Sequence, residues 1–376
     1  MNIRKFHINE LPQDRIFAYL EEDFHKKLFL KIKEYKFKEF NELFFNNKLK
    51  WATFKQWRSM RHFIPLWFIV GLSGKFSEFS LEDFEKHIVA MKGPSTSNLI
   101  ENPSLPLPED SRLLKITGHF LGDGHVGGGF GNGLPNGKTH SEYRNFNSTL
   151  LDSFGKDLQV FGAIKVSKDY KHGHVIVPNI IGYILEHVYN IKFDCFNSRV
   201  PKRLFELPRE FVASFLRAFG DDEGHVYDSS IEYYSSNMEL LTDVLNLMNG
   251  KFPEIKTSTI KVNTKAGKNT KYSFMIYNGS VKRYSDLIGF DHPEKTEDLI
   301  YNINRKRTRI NNCRDKILNL LKERNLTAKQ ISRSLGKAHC TILTHLKILR
   351  DLGKVEIVIK VRWANVWRLL ISEQKD

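Results

Sequence analysis

The sequence predicts a multidomain α+β protein: a middle region of two related halves, an amino-terminal mostly helical module, and a carboxyl-terminal module of three helices and a hairpin. Three observations predict this. At 376 residues the chain is too long for one ordinary core. Two short segments with one layout, small residues running into a carboxylate and a glycine, recur about a hundred residues apart, at Ile116–Gly124 and Leu216–Gly224. Strand-like alternation and helical periodicity follow each of them in turn.

The amino-terminal module is expected over residues 1–92. Phe40-Asn41-Glu42-Leu43-Phe44-Phe45, followed by Thr53 through Arg61, reads as a small helix-turn-helix with Trp57, Ile64, Leu66 and Trp67 in its core. Lys55, Arg58 and Arg61 would then face phosphates; a packing or dimerisation bundle fits the same pattern. Gly93-Pro94-Ser95-Thr96-Ser97 through Pro108 is rich in Pro and Ser, so 93–110 is expected to be a linker. The middle domain is expected over 111–304, with halves at about 111–200 and 201–304, and a basic linker over 305–313.

The carboxyl-terminal module, 314–376, carries a helical apolar face at Ile317, Leu318, Leu320 and Leu321, then a helix over Ala328–Leu335 capped by Thr327 and closed by Gly336. A third helix from Ala338 to Leu352 buries Ile342, Leu346 and Leu349 and leaves Lys337, His339, Thr341, Thr344, His345 and Lys347 outside. Val355, Ile357 and Ile359 alternate as a strand, and the chain reverses at Val361-Arg362-Trp363-Ala364-Asn365. This order resembles a winged helix-turn-helix domain. The resemblance implies that the third helix enters a major groove while the wing, with Arg362, touches backbone.

Charge supports a polyanionic partner. Lys and Arg number 58 against 43 Asp and Glu, and the surplus sits at the carboxyl end, where residues 301–376 carry +12 against +5, 0 and −2 in the three preceding hundreds. The most apolar run, Phe63–Leu72, is too short to span a bilayer, and the amino terminus is charged from Arg4. Cys195, Cys313 and Cys340 have no paired spacing, which argues against a disulfide framework or a four-cysteine zinc site. A reducing, cytoplasmic or nucleoid location is expected.

The chemistry resides in the two repeated segments. Gly118, Gly122 and Ala218 would let two helices approach closely, bringing Asp123 and Glu223 together at their ends. Two carboxylates forced together must share a proton or hold a cation, and an all-oxygen site suits Mg²⁺. One Gly-Asp-Gly alone is an ordinary helix end; two copies, each with its own strand-rich sequel, favour function.

These segments resemble the two motifs of the LAGLIDADG homing endonucleases, as found in pseudo-symmetric monomers of that family. The resemblance covers about residues 111–304 and implies two αββαββα halves whose sheets form a DNA-binding saddle. Strands are expected at 125–130 and 143–148, helices at 149–161 and 179–189, and a hairpin over 164–177. The second half repeats the order, with a hairpin at 226–236, helices at 238–248 and 281–288, and a long hairpin over 255–277. The resemblance implies that Asp123 and Glu223 are catalytic metal ligands, assisted by the backbone carbonyls of Gly122 and Asp222. Two or three divalent ions are implied, Mg²⁺ with Mn²⁺ as a substitute, cutting both strands across the minor groove. The family also places a lysine near its metals. Lys165, Lys168 and Lys171 in the first half and Lys256, Lys261, Lys265, Lys268 and Lys271 in the second offer charge to phosphate. The His172/His174 pair reads as a strand feature or phosphate contact. His119 stands at an apolar motif position, and Gly220 is expected to weaken the second helix by about 1 kcal/mol.

The resulting expectation is a monomeric, site-specific double-strand DNA endonuclease with a DNA-binding module at each end. Its rivals are a non-cleaving DNA-binding regulator and a maturase binding intron RNA. Protein splicing is not expected, because Met1 is no splicing nucleophile and the chain ends without a His-Asn pair.

Overall fold

A computed structural model describes residues 3–76, 78–94, 99–126, 141–194, 196–264, 270–305, 312–361 and 364–370. The middle domain is two copies of one αββαββα unit. The first runs through helix Ser111–Gly122, strands Gly124–His125 and Ser141–Arg144, helix Ser148–Asp157, strands Ser167–Asp169 and His174–Val177, and helix Asn179–Tyr189. In the second the same order is helix Arg209–Glu223, strands Gly224–Val226 and Ser230–Ser235, helix Met238–Lys251, strands Lys261–Asn263 and Lys271–Tyr277, and helix Asn278–Leu287. Each half folds its strands into a four-stranded antiparallel sheet with the strand after the motif at one edge. The register matches as well: Gly124 lies opposite Tyr143, and Gly224 opposite Tyr233.

Helix ends are set by local chemistry. Asp110, Asn147 and Asn237 cap three of these helices by accepting from backbone amides of the first turn. The turn at Lys171–Gly173 closes on Gly173, whose φ of +66° suits glycine. The expected strand residues 127–130 and the expected turn at 266–269 lie outside the described residues.

The amino-terminal third is mostly helical, with helices Glu22–Ile32, Phe37–Phe45, Trp51–Arg58, Leu66–Leu72 and Leu81–His87, and it also contributes strands Phe17–Leu20, Ile64–Pro65 and Ile88–Lys92 to a five-stranded sheet. One expectation here needs correction. That sheet continues through Ile100–Glu101 to Ala163–Ile164 of the first repeat. The expected linker therefore joins the fold instead of separating two parts of it, and Leu107–Pro108 also pairs with Lys5–Phe6. Proline excludes helix there but tolerates extended edges, and Ile100 and Leu107 are buried. One continuous apolar core accordingly runs from Phe6 to Leu299.

The carboxyl-terminal module has its own core, from Cys313 to Trp367. Its helices Cys313–Glu323, Ala328–Leu335 and His339–Asp351 are followed by the wing strands Val355–Val361 and Ala364–Leu369, with Leu326–Thr327 adding a third strand. Thr327 and Gln330 form a reciprocal cap, and Gly336 at φ +61° ends the second helix. A helix over Pro293–Asn304, absent from the expectations, leads into this module. No helix among the described residues is long and apolar enough to cross a membrane.

Candidate nucleic-acid cleavage site

The two motif helices touch along small residues. A Cβ placed on Gly118 would lie 2.7 Å from the Phe215 carbonyl oxygen and 3.0 Å from the Ala218 Cβ, and one on Gly122 would lie 2.7 Å from the Asp222 Cβ. Any larger residue would push the helices apart, so these glycines set how closely the carboxylates approach. Gly220 has a different reason from the one its helix propensity suggests. A Cβ there would meet the Tyr233 hydroxyl at 2.5 Å, and that hydroxyl pairs with Tyr284 at 2.7 Å inside the second half.

At the helix ends, Asp123 is exposed to a cleft of about 660 Å³ and Glu223 is half-buried beside it. Surrounding protein, and then the charge of Asp222, push the Asp123 carboxyl from 3.8 up to about 7. Burial, and then the charges of Asp123 and Asp222, push Glu223 from 4.5 up to about 8. Asp222 thus makes Asp123 harder to ionise, and Asp123 and Asp222 together do the same to Glu223, a condition that a bound cation relieves.

Behind them lies a buried polar network. The Asp222 carboxylate accepts from the Tyr143 hydroxyl at 2.7 Å and the Asn145 amide at 3.1 Å, and its other oxygen faces His119 Nδ1 at 2.9 Å. Burial alone would depress the His119 imidazole, but the neighbouring Asp222 carboxylate outweighs it and the net shift is upward. Asp221 accepts the backbone amides of Asp291 and His292, at 3.0 and 2.9 Å, and burial raises it to about 7. Lys295, from the unforeseen helix, donates to the carbonyls of Gly220 at 3.1 Å and Asp221 at 2.5 Å. Its ammonium thus sits at the carboxyl end of the second motif helix, where a cation is favoured. Burial pulls its pKa down, against the raising effect of four nearby carboxylates.

A family model for the LAGLIDADG-like domain matches residues 210–289, the second of these repeats. A second model, described as bacterial regulatory protein, arsR family, matches residues 313–356. Among curated proteins, an uncharacterized protein of Methanocaldococcus jannaschii is 25% identical over 195 residues, 48% of this chain and 21% of that one. The DNA polymerase II large subunit of Thermococcus kodakarensis is 28% identical over 145 residues, 37% of this chain and 8% of that one. The chain thus spans less than a quarter of either relative. Similar solved structures include I-DmoI in complex with DNA and Mn, 12% identical with a TM-score of 0.34, covering 48% of this chain and 96% of that one. The homing endonuclease I-WcaI bound to its DNA recognition sequence is 13% identical with a TM-score of 0.34, covering 50% and 86%.

The donors expected at the two motif helix ends, two carboxylates and two main-chain carbonyls, are all hard oxygens and fit Mg²⁺ or Mn²⁺. Among the described residues there is no group of three or more His, Cys, Asp or Glu side chains that could hold a metal by itself. The fit therefore depends on carbonyl, water or phosphate oxygens beside the pair.

Of the expected phosphate contacts in the first half, Lys165 and Lys171 are exposed, while Lys168 is ion-paired with Asp152 at 2.5 Å. In the second, Lys261 is exposed, Lys256 donates to the Pro253 carbonyl, and Lys271 stands 5.1 Å over the Tyr234 ring at the cleft. Lys265, Lys268 and Arg362 lie outside the described residues. Near the amino terminus Lys55 and Arg61 are exposed, and Arg58 stacks over Trp51 at 5.8 Å. His172 is held by Asp169 at 2.7 Å.

The start of the third winged helix carries a contact that was not foreseen, while the His339 side chain is exposed as expected. The amides of His339 and Cys340 donate to the Asp228 carboxylate of the LAGLIDADG domain at 2.7 and 3.0 Å, and the Lys337 carbonyl accepts from Tyr301. Lys337 and His339 therefore stand at a docking contact, because Asp228 supplies the cap that this helix lacks from its own chain segment. Thr344 is exposed but bonds back to Cys340, while Thr341 and His345 are half-buried.

Lys295, Tyr143, Asn145 and the Asp222 side chain were not foreseen as site residues. A signal for some of them was present. Both halves read Gly-His-Val after the motif carboxylate, with Glu-Tyr in the next strand and an Asn cap before the next helix.

Proposed function

We propose that this chain is a site-specific double-strand DNA endonuclease of the homing type, hydrolysing phosphodiester bonds at a long target with divalent metal ions. The observation that carries this reading is the meeting of Asp123 and Glu223 at the ends of two closely packed motif helices, where burial and then the Asp123 charge raise Glu223, and burial and then the Asp222 charge raise Asp123. Simple DNA binding has no use for paired carboxylates facing phosphates, since they repel the ligand.

Asp123 and Glu223, with the carbonyls of Gly122 and Asp222, would hold the ions. Bound Mg²⁺ or Mn²⁺ would supply an activated water and neutralise the leaving 3′ oxygen. Lys295 adds positive charge beside the second carboxylate and fixes the end of its helix through two carbonyls. Asp222, held by Tyr143, Asn145 and His119, keeps the helix ends in register. Lys165, Lys171, Lys261, Lys271 and the terminal modules would extend the contact along duplex backbone. One chain supplies both carboxylates, so the enzyme acts as a monomer, in the cytoplasm where its DNA is. The arsR-type match keeps a second reading in play, a regulator that binds the same site without cutting.

The test incubates the chain, with Asp123→Asn and Glu223→Gln controls, on a randomised duplex library in Mg²⁺ or Ca²⁺ and sequences the ends. Double-strand ends at one motif in Mg²⁺, missing in both controls, are expected. Enrichment of a motif left uncut in Mg²⁺ and Mn²⁺ would replace the enzyme with the regulator.

A further inference from the structure

Phe146 is 82% exposed, the largest exposure among the exposed large apolar side chains described, yet it lines the same cleft as Asp123 and Asp222. Its neighbours along that cleft are Arg144, His172 and Lys295, cationic or polar groups suited to phosphate. Among the described residues no ring contact accounts for this exposed phenyl group, and it retains the apolar area that would be buried on contact with a base or sugar.

The ring is also carried on a fixed support. The Asn145 amide N–H donates to the Gly173 carbonyl at 2.8 Å, and the Asn145 side chain both accepts from the Asn147 backbone at 2.9 Å and donates to Asp222. Asn147 then caps the following helix through the Leu150 amide. The turn below is close enough that a Cβ on Gly173 would touch the Phe146 ring at 3.0 Å. Phe146 is thus bracketed by two anchored asparagines, one of which bonds the network behind the carboxylates.

Repeat symmetry shows that the feature is one-sided. Tyr143 and Tyr233 occupy the same register position opposite Gly124 and Gly224, and Asn147 and Asn237 cap the same helix in each half. The counterpart of Phe146 is therefore Ser236, which is also exposed.

We propose that Phe146 is a wedge that enters the duplex beside the scissile phosphates and stacks at an opened base step, on one side of the site only. This rests on the endonuclease reading and adds a device to it. Apolar wedges of this kind unstack and kink duplexes, and every base offers a π face to a ring, so the wedge needs no sequence of its own. It helps most where the step is easily unstacked, which ties cleavage to the deformability of the central base pairs.

The experiment uses the target motif from the library selection, with 2-aminopurine placed in turn at each central position and Ca²⁺ holding the complex uncut. The full-length chain is expected to brighten one position on one side. Phe146→Ala should abolish that signal and cut paired DNA about tenfold more slowly, the scale of a lost base stack. A mismatch at that step should restore its rate. Phe146→Tyr should keep both signal and rate, and the exchange Phe146→Ser with Ser236→Phe should move the signal to the other side. Unchanged melting of each variant controls for folding. A signal that survives Phe146→Ala, or DNA cut normally with no position brightened, overturns the wedge and leaves the endonuclease standing. Failure of the unmodified chain to cut any duplex removes both.

Discussion

Asp123 and Glu223 hold their protons more tightly than ordinary carboxyls, at about 7 and about 8, because protein crowds them and each feels the other or Asp222 as like charge. Both pKa values are raised above those of the unfolded chain, so folding favours the protonated forms. Stability from these groups is fully present below about pH 4 and is lost as pH rises through their folded values. The metal-free protein is therefore expected to melt progressively lower between about pH 4 and about pH 8, in a thermal scan at constant ionic strength. Asp123→Asn with Glu223→Gln should flatten much of that slope, leaving a remainder from Asp221, which is also raised to about 7. Mg²⁺ should stabilise the unmodified chain more at pH 8 than at pH 6, since it binds the ionised pair. A melting temperature equally pH-dependent in the double variant would sink this account. The carboxylates were legible because they end a repeated motif. Lys295 was not, since its place beside them depends on a helix far along the chain folding back onto the second motif helix.

The contact between the two motif helices is set by single glycines. At Gly118 even a methyl group would sit 2.7 Å from the Phe215 carbonyl, 3.0 Å from the Ala218 Cβ and 3.2 Å from the Phe219 nitrogen, all parts of a packed helix that cannot yield like a flexible side chain. Gly118→Ala would gain helix propensity but overpack the interface. The expected net result is a loss of about 1–3 kcal/mol in denaturant unfolding with the slope unchanged. Cleavage should fall too, because displaced helices carry Asp123 and Glu223 with them. Stabilisation by Gly118→Ala would show that the helices have room to spare. Helices were the most legible elements, as their caps and periodicity are local: Asn179–Tyr189 and Ala328–Leu335 follow directly from such signals. The five-stranded sheet was not legible. Its strands are as short as two residues, and its order joins Phe17–Leu20 to Ala163–Ile164 through partners distant in sequence. Proline and serine between them signalled only the absence of helix.

Across the whole molecule, two apolar cores meet through polar contacts. Asp228 stands at the centre of that meeting: it caps the third winged helix at His339 and Cys340 and pairs with Arg305 at 3.0 Å. Around it Lys329 pairs with Asp298 at 2.7 Å, Arg333 reaches Glu297 and Asp298, and the Tyr301 hydroxyl donates to the carbonyls of Ser332 and Lys337. Burial alone would raise the Asp228 carboxyl, but the two amides and Arg305 hold it below the usual range. The exposed ion pairs contribute little each and are screened by salt, whereas the cap joins a partly buried carboxylate to two backbone amides. Asp228→Ala should therefore release the winged module while both cores stay folded, because no apolar contact depends on that side chain. Hydrogen exchange is the measurement. Amides of His339 and Cys340 are expected to exchange about five- to thirtyfold faster in Asp228→Ala, as loss of roughly 1–2 kcal/mol of capping implies, while amides of the two motif helices stay unchanged. Asp228→Asn keeps an oxygen acceptor and should fall between the two. Raising salt should add to the effect of Asp228→Ala by screening the surrounding pairs. Unchanged exchange at both amides would mean that the module is held by those pairs and not by the cap. Release of the module without loss of the body fold would also free the start of the third helix, which in the docked form already has its amides bonded to Asp228 of the middle domain.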